Sequence, residues 1–236
     1  MNLSQPATSS RKLLEEALAD ARFVARVEAG DGGALDLVVL SHKAPFDRAV
    51  AAAREWLAEA GIDGSAAFND LQDVVLTLPT SGAVERLVEV LLEPHIRAYT
   101  TITQLGEALE DHGLLSNITA GGTCTVELGL SDEGLASAVE LASLLGAPSI
   151  NGGLDLSDLD GMDRLADRLQ WLISGVVGSE VSAKASPGCA HEQEEITLYL
   201  TVEQARGLTQ RLVCSARNAS SAAATVGVDL VSTPAA

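Results

Sequence analysis

Apolar residues recur every three or four positions in several segments of the chain, which is the pattern of helices with one buried face. A clear example is residues 10–28, where Leu14 and Leu18 stand among charged positions. In residues 74–78 and 123–130 apolar residues recur at every second position instead, which predicts strands with one buried side. The two periods together predict an α+β protein.

Turn residues and helix caps divide the rest of the chain into further elements. Pro94 is expected to stop one helix and Gly113 to end the next. Thr201 and Gln204 have the spacing of a capping box at the start of a long helix. The other expected strands are residues 35–40, 66–68, 96–102, 181–185, 196–200 and 226–231, and the other expected helices are residues 45–60, 81–92, 104–112, 131–145, 157–177 and 201–218.

Short motifs recur in the two halves of the chain. Trp56 in the first half and Trp171 in the second each precede a Gly-x-x-Gly-Ser motif and then an expected strand. Two further pairs of segments are similar, namely residues 31–37 with 151–156 and residues 75–78 with 196–200. We interpret these pairs as an internal duplication of one unit with the order βαββαβ, which is the ferredoxin-like arrangement.

The duplication predicts a lead-in that is disordered (residues 1–9), a first α+β unit (residues 10–118) and a second α+β unit (residues 119–236). In each unit the helices are expected on one face of an antiparallel sheet, and the other face needs a cover. The sister unit is the simplest cover, which predicts a pseudo-twofold molecule with a shared core or a cleft where the units meet. A homodimer supplies the same cover, so a monomer and a homodimer are both open.

The chain is strongly acidic, with 15 Lys and Arg against 33 Asp and Glu in 236 residues and a net charge of −18. Such a charge repels nucleic-acid phosphates and anionic membrane surfaces, so we expect neither partner. No apolar run has the length of a signal-peptide core or a membrane span, which together with three widely spaced cysteines predicts a cytoplasmic protein. The excess of arginine over lysine and the abundance of alanine are typical of GC-rich bacterial genomes.

The common motifs of catalysis and nucleotide binding are absent from the sequence. There is no P-loop, no Gly-x-Gly-x-x-Gly after a strand and no Gly-x-Ser-x-Gly. His191 and Glu192 begin like the zinc-protease motif His-Glu-x-x-His, but Glu195 stands where the second histidine is needed. We therefore expect no cofactor, and the sequence favours a non-catalytic protein over an enzyme.

Two tryptophans and one histidine are candidate ligand contacts where the units meet. Trp56 and Trp171 are the only tryptophans and lie at matching places on expected helices, and His42 lies in a loop between a strand and a helix. Loops in this position often carry function. Packing in the core is the simpler interpretation of both tryptophans.

A loop in the second half holds a candidate metal site. Cys189, His191 and Glu192 follow a Pro-Gly turn, but two further ligands would have to come from elsewhere. The densest acidic stretch, residues 155–167, resembles part of a calcium loop but lacks its first ligand and its final glutamate. We interpret it instead as a capped helix start with Ser157 as the N-cap.

These features favour a non-catalytic acidic binding module inside the cell that engages a basic protein partner, as an inhibitor, immunity protein or adaptor does. Electrostatic complementarity would speed the association and make it sensitive to salt. One alternative is a regulatory domain that senses a small molecule or a metal. A second alternative is an enzyme with a dispersed acid/base site.

Overall fold

The computed structural model describes residues 5–40, 46, 49–121, 124–188 and 193–226. The chain divides into two compact units, unit 1 (Met1–Tyr99) and unit 2 (Thr100–Ala236). Each unit contains a four-stranded antiparallel sheet and helices, as expected for an α+β protein. The boundary expected between residues 118 and 119 would cut a strand, because Asn117–Ala120 belongs to the sheet of unit 2.

Unit 1 has the element order αββαββα. Its elements are α1 (Gln5–Asp20), β1 (Ala25–Ala29), β2 (Leu35–Val39), α2 (Val50–Glu59), β3 (Ser65–Phe68), β4 (Val74–Leu78) and α3 (Ser81–Leu87). The strand order is β1-β2-β4-β3, and every neighbouring pair is antiparallel. Therefore α2 carries the chain past β4, and β1 and β3 form the two edges.

A π-helical segment, Val88–Leu92, joins α3 to α4 (Glu93–Glu110) without a break. Pro94 lies in the first turn of α4 and has no backbone N–H, so one helix hydrogen bond to the preceding turn is missing. A locally widened turn accommodates such a defect. The expected helix stop at Pro94 and the extended segment at residues 96–102 are therefore both wrong.

Unit 2 begins within α4 and repeats the strand arrangement of unit 1. Its further elements are β5 (Asn117–Ala120), β6 (Thr125–Leu130), α5 (Ala136–Leu144), α6 (Leu159–Val177), β7 (Ser182–Ser186), β8 (Glu195–Thr201) and α7 (Val202–Val226). The strand order is β5-β6-β8-β7, again antiparallel throughout. Of the strand expected at residues 226–231, Val226 ends α7 and the rest lies outside the described residues.

Neither unit has the βαββαβ order of the ferredoxin-like arrangement, because each sheet starts with a hairpin. The sequence pattern of α1 continues to residue 28, but the helix ends earlier. Arg22 adopts a left-handed φ of 47°, and the N–H of Phe23 closes the turn on the carbonyl of Leu18 at 3.0 Å. β1 follows with Val27 as its one buried residue, so its alternation is too weak to mark a strand.

One face of each sheet is buried against helices. In unit 1 the buried side chains of β4 alternate with less buried ones, whereas in β2 Val38 is buried as well as Leu37 and Val39. The core residues of both strands join residues of α1, α2 and α3 in one core. In unit 2 the alternation is complete in β8, and in β6 it is interrupted by the buried Gly129. The core positions of the central strands are Leu35, Leu37, Val39, Val74, Leu76, Leu78, Val126, Leu128, Leu130, Ile196, Leu198 and Leu200. No buried side-chain nitrogen or oxygen of the described residues lacks a hydrogen-bond partner.

Helix side chains form hydrogen bonds with the backbone at three sheet edges. Arg11 of α1 donates to a carbonyl of β1 at 3.3 Å, and Arg54 of α2 donates to a carbonyl of β3 at 2.9 Å. Gln170 of α6 accepts from an N–H of β7 at 3.1 Å. Such contacts occupy groups that would otherwise be open to pairing with another chain.

Residues of the two units correspond at a spacing of 91 positions from α1 to the end of β2. Both units have a left-handed residue after the first helix, Arg22 (φ 47°) and Gly113 (φ 70°). The next N–H closes each turn at 3.0 Å on the carbonyl five residues earlier. Buried pairs at this spacing are Leu14 and Leu105, Ala17 and Ala108, Leu18 and Leu109, Leu37 and Leu128, and Val39 and Leu130.

The sequence motifs that suggested a repeat coincide with the structure in part. Trp56 and Trp171 lie on α2 and α6, which both connect the second strand of a sheet to the third. Residues 75–78 and 196–200 lie in β4 and β8, which occupy the same place in the strand order. Residues 151–156, in contrast, form turns before α6, whereas residues 31–37 lead into β2.

Two glycines of α6 provide a matched test of its packing. A Cβ on Gly161 would collide with the backbone carbonyl of Asp155, whereas a Cβ on Gly175 would meet nothing within 4 Å. We expect Gly161→Ala to destabilise the protein by about 1–3 kcal/mol through overpacking. We expect Gly175→Ala to stabilise it by about 0.5–1 kcal/mol, because alanine loses less backbone entropy in a helix. Urea denaturation measures both, and equal effects would contradict the close approach at Gly161.

Candidate functional site

Unit 2 carries most of the negative charge. Residues 1–99 contain 9 Lys and Arg and 15 Asp and Glu, and residues 100–236 contain 6 and 18, which gives net charges of −6 and −12. All five ion pairs between described side chains lie in unit 1. A surface that attracts cations is therefore best sought in unit 2.

The outer face of α6 combines an exposed tryptophan with carboxylates. Trp171 is 76% exposed. Asp167 precedes it by four residues and Asp163 by eight, and both are exposed. At 3.6 residues per turn these three side chains follow one another along the same side of the helix. The opposite side is buried and consists of Gly161, Met162, Leu165, Ala166, Leu169 and Ile173.

Short hydrogen bonds fix the acidic start of α6. Asp158 is the N-cap, and its Oδ1 accepts from the N–H of Gly161 at 2.6 Å. Asp155 Oδ1 accepts from Ser157 twice, from Oγ at 2.6 Å and from the N–H at 3.0 Å. The pKa of Asp155 lies below its usual value, mainly because of the hydrogen bond from the Ser157 hydroxyl and to a smaller extent because of the one from the Ser157 N–H. The stretch is thus a capped helix start as expected, but Asp158 is the N-cap and not Ser157.

Arg164 and Arg168 precede Trp171 by seven and three residues, so both lie on the same side of α6 as the tryptophan. They reduce the negative charge of this side without cancelling it. Arg168 Nη1 donates to the carbonyls of Ile150 at 2.5 Å and Gly152 at 3.1 Å, which ties the preceding turn to α6. Arg164 is exposed. Five aspartates lie in residues 155–167, so carboxylates outnumber the two guanidinium groups.

The two tryptophans singled out in the sequence have different environments. Trp56 is half-buried against the core of unit 1, with its ring edge-on to that of Phe46 and the ring centroids 5.4 Å apart. The core interpretation is confirmed for Trp56 and wrong for Trp171. The similar motifs that follow the two tryptophans led to the expectation of similar environments. The four-residue spacing of Asp163, Asp167 and Trp171 was the signal in the sequence that these side chains share an outer face of the helix.

His42, Cys189, His191 and Glu192 lie outside the described residues, so their roles stay predictions. Within the described ranges, no three side chains of His, Cys, Asp or Glu are arranged to hold a metal ion. No helix in the same ranges has both the length and the apolar character that crossing a membrane requires.

Comparison of the chain with protein-family models, curated proteins and solved structures finds no significant match.

Fluorescence quenching tests the exposure of Trp171 and the charge around it. In Trp56→Phe, where Trp171 is the only indole, we expect strong quenching by acrylamide and stronger quenching by caesium than by iodide, because carboxylates concentrate cations. In Trp171→Phe, the half-buried Trp56 is expected to be quenched less by all three. Stern–Volmer plots measure this, and preferential iodide quenching in Trp56→Phe would contradict an acidic surrounding.

Removal of the Asp155 carboxylate is expected to change how stability depends on pH. Because the folded-state pKa of Asp155 lies below the usual aspartate value of 3.8, the ionised form adds stability above that value. This contribution is lost as the pH falls through the lower folded-state pKa. The difference in urea midpoint between the wild type and Asp155→Asn should therefore shrink in that range. Ser157→Ala, which keeps the backbone hydrogen bond, should show part of the change, and a difference independent of pH would contradict the assignment.

Proposed function

We propose that the chain is an acidic binding module that engages a basic protein partner through the outer face of α6. The observation that carries this proposal is the 76% exposure of Trp171 on the same side of α6 as the exposed Asp163 and Asp167. An exposed tryptophan supplies a large apolar contact, and tryptophan is enriched among residues that dominate binding energy. Its ring also attracts lysine and arginine.

The chemistry of this face indicates what the partner presents. Carboxylates favour guanidinium and ammonium groups through charge-assisted hydrogen bonds. The indole favours an apolar side chain or a cation stacked on its ring. A segment in which lysine or arginine lies next to a large apolar residue meets both demands. The net charge of −12 in unit 2 would speed the encounter with such a partner and make it salt-dependent.

We also infer that the two units arose by duplication of one αββαββα unit. The common strand order and the spacing of 91 residues from α1 to β2 support this inference. The longer connection between β6 and α6, which includes α5, would be a later insertion in unit 2. The charged residues that distinguish the units would then have changed after duplication.

Binding of a fluorescein-labelled amphipathic peptide of leucine, lysine and arginine tests the proposal. We expect saturable binding by fluorescence anisotropy that weakens as salt is added. Trp171→Ala is expected to lower the affinity about tenfold, as loss of a dominant contact does. The double variant Asp163→Asn/Asp167→Asn should also bind more weakly and should depend less on salt.

A charge-matched variant distinguishes this face from the total charge. Glu107→Gln/Glu203→Gln removes two exposed carboxylates of unit 2 from other helices. We expect it to retain most of the affinity and the full effect of Trp171→Ala. Equal losses in the two double variants, or no effect of Trp171→Ala, would count against the outer face of α6.

A further inference from the structure

A groove with the opposite charge lies in unit 1, between α1 and the edge strand β1. Its volume is about 610 Å³. Three arginines line it, Arg11, Arg22 and Arg26, against one carboxylate, Glu15. A third of the Lys and Arg residues of an acidic unit thus line one groove.

The floor of this groove includes the open edge of a sheet. The residues on either side of β1 hydrogen-bond towards β2: the carbonyl of Val24 accepts from the N–H of Leu40, and the N–H of Gly30 donates to the carbonyl of Ala34. Because antiparallel pairs alternate, the odd-numbered residues of β1 direct their N–H and C=O groups away from β2. One of these groups, the carbonyl of Val27, accepts from Arg11 Nη2 at 3.3 Å.

Arg22 stands in this groove at a backbone position that suits glycine. Its φ of 47° lies in the left-handed region, which costs energy for a side chain with a Cβ. The corresponding residue of unit 2 is Gly113, with φ 70°. The Arg22 guanidinium lies over the ring of Tyr99, 5.0 Å from its centroid. This stacking favours the Arg22 side chain at the groove and offsets part of the cost of its left-handed φ.

Unit 2 has the corresponding groove without these charges. It lies between α4 and β5, and its volume is about 280 Å³. At the spacing of 91 residues, Arg11, Glu15, Arg22 and Arg26 correspond to Ile102, Gly106, Gly113 and Asn117. The same backbone arrangement therefore forms without any of the three guanidinium groups. Their presence in unit 1 is not a requirement of the fold.

We propose that the groove between α1 and β1 binds an extended acidic peptide segment, which adds to β1 as a further strand. The backbone of β1 supplies hydrogen bonds, and alternate side chains of an added strand point to the same side. Carboxylates on the side of α1 meet Arg11, and carboxylates on the opposite side meet Arg26, which lies on the other face of β1 from the buried Val27. Arg22 lies just before the start of β1, and all three guanidinium groups match carboxylates in geometry. This proposal is independent of the function proposed for α6.

The contacts now present in the groove do not prevent such binding. Arg11 pairs with Glu15 at 2.8 Å and Arg26 pairs with Glu28 at 2.6 Å, and all four side chains are about half exposed. Exposed ion pairs contribute little to stability, so a ligand carboxylate can replace them at low cost. If Arg11 turns to the ligand, the carbonyl of Val27 becomes open to an N–H of the added strand.

The first test measures binding of a fluorescein-labelled peptide in which glutamate alternates with valine. We expect saturable binding by fluorescence anisotropy and none by the same peptide with lysine in place of glutamate. Arg11→Ile/Arg26→Asn introduces the residues that unit 2 has at these places, so the fold should persist. We expect this variant to lower the affinity about tenfold or more. An unchanged affinity, or no binding by the wild type, would overturn the proposal.

Two further measurements separate the parts of the proposal. Arg22→Gly removes a guanidinium and relieves a strained φ, so we expect weaker peptide binding with no loss in urea midpoint. Ile102→Ala in the corresponding groove of unit 2 should leave the affinity unchanged, and a loss there would place the site elsewhere. N-methylation of the peptide amides that face β1 should abolish binding, whereas retained affinity would refute pairing with the strand.

Discussion

Each unit depends on covering the apolar face of an antiparallel sheet, because such a sheet is not stable with that face in water. The central strands supply most of this surface, and Leu37, Leu76, Leu128 and Leu198 are fully buried on them. Each such side chain contributes about 1.5–3 kcal/mol when removed from water. A slip of one residue would turn all of them outward, so the alternation also fixes the strand register.

This constraint acts on one face only and leaves the sheet edges and outer helix faces free to differ. The two units fold alike from α1 to β2, yet Arg11 stands at the edge of one sheet and Ile102 at the corresponding place of the other. Trp171 and Trp56 show the same freedom on α6 and α2. Two units with the same strand order can thus differ in the charge and exposure of their edges and outer helix faces.

The sequence predicted elements whose pattern is local. The central strands alternate, and the capping box is confirmed by bonds of 2.7 and 3.1 Å between Thr201 and Gln204. Edge strands bury too few side chains to alternate clearly, so β1 was missed. In α4, burial of Ala98, Thr101 and Leu105 on one side outweighs the strand preference of β-branched neighbours. The exposure of Trp171 depends on which side of α6 is buried, which matching motifs do not indicate.

The continuous helix from α3 through the π segment into α4 bears on how the chain becomes ordered. Starting a helix is unfavourable by a factor on the order of 10⁻³, because the first turn fixes several residues for one hydrogen bond. Adding residues to an existing helix avoids that step. The division between the units falls within α4, after Tyr99. Once unit 1 has formed its final turns, the first helix of unit 2 needs no nucleus of its own and can grow by elongation.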